Sequence, residues 1–455
     1  MPAPLLALAL ALQPVDRAPT DVVLDVPGPP EPVPADSLEP PAPTDSPPPK
    51  DPDIAPASPA PAPPPADPPV SAPAPKTSQP SDAPTPNNNK LLDAVEVFPY
   101  GWIRTDATYY SAADEGYSNL SLAGARLGGG VRTGPVTAFA TIEAGQDKGP
   151  RLVDAFVLWD VVARLRLRAG QFKSPFGYRF NVPDLVDELP RAPLSLMAAT
   201  PGRQVGVEAA YDFWRWADVS VAVFSGIGQN REANNTKVAL AGKLQVRPLT
   251  FTKRGPQLIL NASVFAYHKT NGFSPTVDTA FGLEFIHGVP AAGPARRVTA
   301  GGGLFWRFLS ARGEFFHTRD SRERDTDGDP FTPGDPLPPM IGSGGYAQLG
   351  AVVTGQTKDP NTLLPLLKSR RVRDSAVELS ARFDSFRVGA RDVRGNGVQA
   401  VTAGVNWVLL QHLRVFAAFN YQVLDARVPE IPGASSWGFH GGVAGYFLRG
   451  AGRGD

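Results

Sequence analysis

Ten basic side chains carry the chemistry that this sequence offers: Arg164, Arg166, Arg168, Lys173, Arg179, Arg191, Arg203, Lys243, Arg387 and Arg391. Three stand in the run Val162-Ala-Arg-Leu-Arg-Leu-Arg-Ala-Gly-Gln-Phe-Lys173, with Arg164, Arg166 and Arg168 at every second position. On a strand, that spacing puts the three guanidiniums on one face and Leu165, Leu167 and Ala169 on the other. Arginine keeps its proton, and its planar fork of donors fits phosphate or carboxylate. A row of such groups reads as a track for small inorganic anions. Lys243 and Arg247 share a face in the same way, as do Arg387 and Arg391. In the competing reading, acids such as Asp154, Asp160, Glu208 and Glu378 pair with the cations and leave a solvated, neutral wall.

Other chemistries find little support. With no cysteine there is no disulfide framework and no thiolate metal site. None of the five histidines stands at metal-ligand spacing from another, so no metal or cofactor is expected. Asp325-Thr-Asp-Gly-Asp329, with Asp335 beyond, clusters carboxylates in a long loop. It breaks the calcium-loop pattern because no glycine follows Asp329 and position 336 is Pro. Gly128 to Gly130 and Gly301 to Gly303 lead into neither Lys-Ser/Thr nor a helix, so they read as strand bends, not phosphate loops. No Ser-His-Asp set stands in a recognisable context, and neither enzymatic activity nor a nucleic-acid partner is expected.

The elements that must position these cations divide the chain in two. Residues 1–89 hold 3 basic and 11 acidic side chains, a net of −8; the remainder holds 44 − 3 = 41 and 44 − 11 = 33, a net of +8. Met1 to Ala11 is a short Leu/Ala run like the core of a secretory signal peptide, so residues 1–20 are expected to direct export. Residues 1–89 also contain 29 of the 51 prolines. Proline removes backbone donors and fixes φ, so residues 21–90 are expected to be a disordered, semi-rigid Pro/Ala-rich linker. Within it, residues 27–89 have cell-wall contact as an alternative role.

Residues 91–450 are predicted to be all-β. Segments of about ten residues alternate apolar and polar, the period of a strand with two chemically different faces. Val401, Ala403, Val405, Trp407 and Leu409 share one face, and Thr402, Gly404 and Asn406 the other. After a turn near Gln411 and His412, Leu413, Val415, Ala417, Phe419 and Tyr421 repeat the apolar face. Val205–Tyr211 and Asp218–Phe224 form another pair. Val377 to Phe383 forms a strand, with a turn expected at Asp384–Ser385 before Phe386 to Arg391. No run of about 18 apolar residues follows the N-terminus, so any membrane crossing needs a closed barrel. A soluble sandwich also alternates, but this body is long, and aromatic residues near strand ends (Phe98, Tyr100, Trp102, Trp214, Trp216, Phe305, Trp306) suggest interfacial girdles. The expectation is a transmembrane antiparallel β-barrel of about 16 strands in outer-membrane lipid. Because a lipid-facing Arg costs about 2–4 kcal/mol at mid-bilayer, Arg164, Arg166 and Arg168 are predicted to face the lumen.

Between Lys173 and Arg203 alternation stops. This stretch has four prolines before Pro201-Gly202 and is too long for a hairpin turn. A loop of this length inside a compact domain is usually functional. It is predicted to fold inward and narrow the pore, bringing Lys173, Arg179, Arg191 and Arg203 to a constriction with Asp184, Asp187 and Glu188 as counter-charges.

In order and spacing, several segments resemble the phosphate-selective porin O and P family. They are Arg168-Ala-Gly-Gln-Phe-Lys-Ser-Pro-Phe-Gly177, Pro201-Gly-Arg-Gln-Val-Gly-Val207, Val223-Phe-Ser-Gly-Ile-Gly-Gln-Asn230 followed by Ala241-Gly-Lys-Leu and Pro248, and Ala400 to Trp407 followed by Leu413-Arg-Val and Asn420-Tyr421. The resemblance runs from about residue 93 to 448. It implies a trimeric 16-stranded barrel in the outer membrane of a Gram-negative cell, with a basic, constricted pore that passes phosphate or related anions. Two departures stand out: Leu448 to Asp455 follow Phe447 where a terminal aromatic is expected, and the Pro-rich segment replaces a short helical stretch. A barrel tethering the envelope through its Pro-rich arm, without selectivity, is the second reading.

Overall fold

The computed structural model describes residues 95–112, 115–145, 148–182, 188–213, 216–226, 228–229, 238–249, 255–269, 277–278, 284–286, 289, 291–324, 335–367, 374–393, 396–409, 412–424 and 435–448. Residues 1–94, with the export signal and the linker, lie outside the described residues. So do Trp214, Asn230, Gln411, Asp184, Asp187 and the Asp325–Asp329 cluster.

The strands are β1 (Val95–Ala112), β2 (Glu115–Thr133), β3 (Val136–Gly145), β4 (Lys148–Val162), β5 (Leu165–Lys173), β6 (Arg203–Asp212), β7 (Ala217–Phe224), β8 (Ala239–Val246), β9 (Gln257–Lys269), β10 (Val277–Asp278), β11 (Glu284–Ile286), β12 (Gly293–Trp306), β13 (Leu309–Arg324), β14 (Asp335–Val352), β15 (Ala376–Gly389), β16 (Asn396–Leu409), β17 (Leu413–Leu424) and β18 (Ser435–Leu448). Sixteen close into a barrel, each antiparallel to its neighbours, while β10 and β11 pair separately. Closure comes from β1 and β18, in register from Tyr100↔Leu448 to Ala112↔Ser436. Closure leaves no edge strand, as a strand structure in lipid requires. No helix among the described residues is long and apolar enough to cross a membrane.

The two-residue period sets the faces. In β17 the outward positions Val415, Ala417, Phe419, Tyr421 and Val423 are exposed, and Arg414, Phe416, Ala418, Asn420 and Gln422 are buried in the interior. β16 follows the same rule, and β6 pairs with β7 from Gly206↔Phe224 to Asp212↔Asp218, as the alternation predicts. Val95, Leu448 and the tight turns at 134–135, 163–164 and 307–308 mark one end. The longer connections 174–202, 225–238, 270–292, 325–334 and 425–434 mark the other. The end with most of the short turns is the periplasmic one, 353–375 being its long exception, and the end with most of the long loops is the extracellular one.

Three expectations need correction. β15 runs unbroken through Asp384 and Ser385, which are not a turn. Phe386 and Val388 therefore keep the inward parity of Glu378 and Arg382. Arg387 lies on the outward face and Arg391 beyond the strand, so neither lines the lumen. Phe98, Tyr100, Trp102 and Phe305 belong to the inward set, because the lipid-facing positions are Val97, Ile103, Leu304 and Trp306. The outer girdles come from other residues: Trp159, Tyr211, Trp216, Trp306 and Trp407 at the periplasmic end, and Tyr109, Tyr421, Trp437 and Phe439 at the extracellular end. Trp437 meets Tyr109 across the seam in a tilted contact, with ring centroids 5.7 Å apart. Finally, Arg164 sits in the turn between β4 and β5, so only Arg166 and Arg168 of the predicted row are on the strand wall.

Candidate functional site

The segment 174–202 folds into the barrel, as the loss of alternation suggests. Its described residues include a 3₁₀ turn at Arg179–Asn181 and a short helix α1 (Leu194–Ala199). Its apolar side chains Phe176, Leu196 and Ala199 meet inward-facing Phe172, Phe224, Phe265, Phe316 and Tyr346 of the wall, which gives the barrel a packed core on that side. An inward aromatic series runs along the wall from Phe139 through Phe156, Phe172 and Phe224 to Phe265, with centroid separations of 5.3 to 6.3 Å.

Carboxylates of the opposite wall pin the loop. Glu314 accepts the backbone N–H of Tyr178 at 2.6 Å and of Arg179 at 3.0 Å, and the Tyr346 hydroxyl at 2.9 Å. Asp384 accepts Leu194 N–H at 3.2 Å and the Ser195 hydroxyl at 2.9 Å, satisfying the first donors of α1. The loop's own Glu188 is buried among Arg312, Lys358 and Gln348, with Gln348 Nε2 at 2.5 Å. Lys358 also reaches Glu378 at 2.5 Å.

Lys358 comes from the other end of the barrel. The connection between β14 and β15 lies at the periplasmic end, and its residues Lys358, Leu363 and Leu367 are buried in the interior. Leu363 of this connection packs with Tyr178 and Val182 of the loop, and with Ile259 and Phe305 of the wall. The Tyr178 hydroxyl donates to Pro360 O at 2.8 Å. Burial raises the pKa of that phenol, so it remains a donor at neutral pH. Sequence reasoning missed this contact: residues 353–367 show neither alternation nor a run of like charge.

The predicted cations occupy different environments. Arg168 pairs with Glu208 and lies over the Phe172 ring at 4.0 Å; Arg166 lies 3.6 Å from Asp212, and Arg203 2.9 Å from Asp154. Lys173 donates to Phe180 O at 2.9 Å, and Arg179, buried, to Val182 O at 3.2 Å. Arg191 O accepts from Arg382 at 2.8 Å. Lys173 and Arg179 therefore hold the loop in shape through their side chains and Arg191 through its carbonyl, and Glu188, expected to balance them, is committed to Arg312 and Lys358. Lys243 differs: on the inward face of β8, between Ser220 and Ser263 in register, it has no hydrogen bond or ion pair to any described residue. Parity in β13 (Arg312, Glu314, Phe316 inward) is the signal that could have found the pinning residues. On the far wall Asp106 is gripped by Arg104 at 2.6 Å and His440 at 2.8 Å. No cluster suited to a metal ion occurs among the described residues.

Comparison with known proteins agrees with this architecture. The family model "Phosphate-selective porin O and P" matches residues 326–422, which carry β14 to most of β17 together with Lys358, Glu378 and Asp384. The fold is similar to a loop-deletion form of OmpT, an outer membrane protein of Vibrio cholerae (11% identity, TM-score 0.53, 78% of this chain and 100% of that one). It is also similar to the anion-selective porin of Comamonas acidovorans (12%, 0.52, 78% and 100%) and to Salmonella typhi OmpF (13%, 0.51, 78% and 99%). No curated protein sequence matches the chain significantly. A closed 16-stranded barrel with an apolar outer band has the fold of a multi-pass outer-membrane β-barrel, and its residues 326–422 are similar to the porin O and P family model.

Proposed function

We propose that this porin-type barrel is a passive diffusion channel preferring small anions, phosphate or polyphosphate among them, and not an enzyme. The observation that carries the reading is Lys243. Arg168, Arg203 and Arg297 each face a carboxylate within ion-pair distance, whereas the Lys243 ammonium has no acid so close among the described residues, Asp218, Glu314 and Glu208 acting on it only at longer range. An inward cation held by no described acid at contact distance is available to a passing anion, and a single weak contact lets the ion leave again. The net +8 of the residues after 89 (41 basic, 33 acidic) favours anions at the mouths as well. The family match supports the reading, and the Comamonas porin shows that this fold can host anion selectivity.

Reversal potential in a salt gradient across a planar bilayer tests it. The wild type should prefer anions, and Lys243→Ala should lose a large part of that preference. A wild type without preference would favour the alternative, a non-selective barrel, which the paired arginines of β5 support. The proposal also includes assembly as a homotrimer, read from the mass of the detergent complex. Residues 1–20 as export signal and 21–90 as linker complete it, with cell-wall contact through 27–89 read by pull-down on peptidoglycan.

A further inference from the structure

The outer surface carries a cationic patch that the channel reading does not use. Arg296 of β12 and Arg319 of β13 are directly opposite in register, and both are exposed on the outward face. Neither side chain makes a hydrogen bond or ion pair to any described residue; the neighbouring acid Asp320 points inward, where Arg297 takes it at 2.5 Å. Like charges directly opposite on a sheet are unfavourable unless something outside balances them. Arg387 belongs to the same face: Arg319 is opposite Ile341, Ile341 opposite Gly389, and Arg387 is two residues from Gly389 on β15. Its Cα is about 12 Å from that of Arg319 by strand geometry, within joint reach of two arginine side chains. His317, one step below Arg319 on the outward face, adds a further donor.

Depth decides what meets the patch. Ten residues separate Arg296 from the girdle residue Trp306, Arg319 from Leu309, and Arg387 from Val377. Ten strand residues tilted at about 40° rise roughly 25 Å, the height of the apolar band of such barrels. The arginines therefore stand where the band ends, at the headgroup level of the extracellular leaflet. Below them the outward face is apolar, with Val298, Phe315 and Phe383 exposed to acyl chains. We infer that Arg296 and Arg319, with Arg387, form a binding site for the phosphate-bearing headgroup of an anionic lipid of the outer leaflet. Guanidinium forks suit phosphate oxygens, and the charge is worth more at an interface than in open water. The inference rests on the membrane location alone and is independent of the channel reading.

The test titrates the full-length protein in neutral detergent, by native mass spectrometry, with three probes: a diphosphorylated glycolipid (lipid A), its dephosphorylated form, and inorganic phosphate. Wild type should bind the phosphorylated lipid about tenfold or more tightly than the dephosphorylated one. Arg296→Ala with Arg319→Ala should abolish that difference, and the double Lys variant should keep part of it. Heat-modifiable migration shows that each variant is folded, and Arg319→Ala alone should show an intermediate loss if the double variant does not fold. Equal binding of both lipids, or undiminished binding by the double Ala variant, overturns the inference. So does displacement by inorganic phosphate at concentrations matching the lipid, which would mark a free-anion site. A change in oligomeric mass of the double variant without lipid also overturns it, since the patch would then join copies of the chain.

Discussion

Glu188 and Lys358 meet inside the barrel although one descends on the loop after β5 and the other rises on the connection before β15. Their side chains are almost wholly buried, and Arg312 and Glu378 complete the cluster. The interior is thus closed over at one point by segments from both ends.

Removing one charge from this cluster should be costly. Glu188→Gln leaves Arg312 and Lys358 buried beside too little negative charge, a loss of about 3–5 kcal/mol. The expected outcome is a lower midpoint of urea unfolding in lipid vesicles, with the 353–375 connection newly open to protease. An unchanged midpoint would show that the cluster is hydrated and weak.

Glu314→Ala should free the loop more than it weakens the barrel. Two backbone N–H groups and the Tyr346 hydroxyl lose their acceptor, at about 1–3 kcal/mol for each buried group left unpaired. Larger open-channel current noise is expected, with nearly unchanged barrel unfolding. Quiet currents equal to those of wild type would mean that the apolar contacts of Phe176 and Leu196 suffice.

Arg166→Ala with Arg168→Ala should shift selectivity toward cations, because Glu208 and Asp212 stay behind unneutralised. Adding Arg164→Ala should change little, since Arg164 occupies the turn. Reversal potentials of the double and triple variants compare the two directly, and a large further shift in the triple would contradict that placement.

An arginine on the outward face of the mid-band should be resisted. Phe383→Arg is expected to cost about 2–4 kcal/mol in vesicles. Thr402→Arg, on the inward face of β16, should alter conductance instead. Equal stabilities would argue against a lipid-facing outer surface.

How far the sequence could be read depends on where the determinants lie. The hairpin around His412 was legible because a two-residue period exposes Val405 and buries Asn406 locally. The inward loop was legible as a loss of that period. Asp384 was misread because Asp and Ser form turns through local hydrogen bonds, whereas this Asp serves Leu194 and Ser195, far away in the chain. The inward parity of Phe98 depends on a tertiary accommodation: its ring lies over Gly130 of the next strand, where any Cβ would collide with it. Lys358 left no local trace, because its importance comes entirely from the two glutamates that surround it.

The long-range anchoring of the 174–202 segment constrains assembly. Its acceptors on β13 and β15 are made later in translation than the segment itself, and the lysine that meets Glu188 is 170 positions downstream. A nascent chain that has inserted only its first hairpins carries this segment without a docking site, its buried acid unmatched. Obstruction of the interior therefore requires β13, β15 and the connection that carries Lys358 to be in place around the segment.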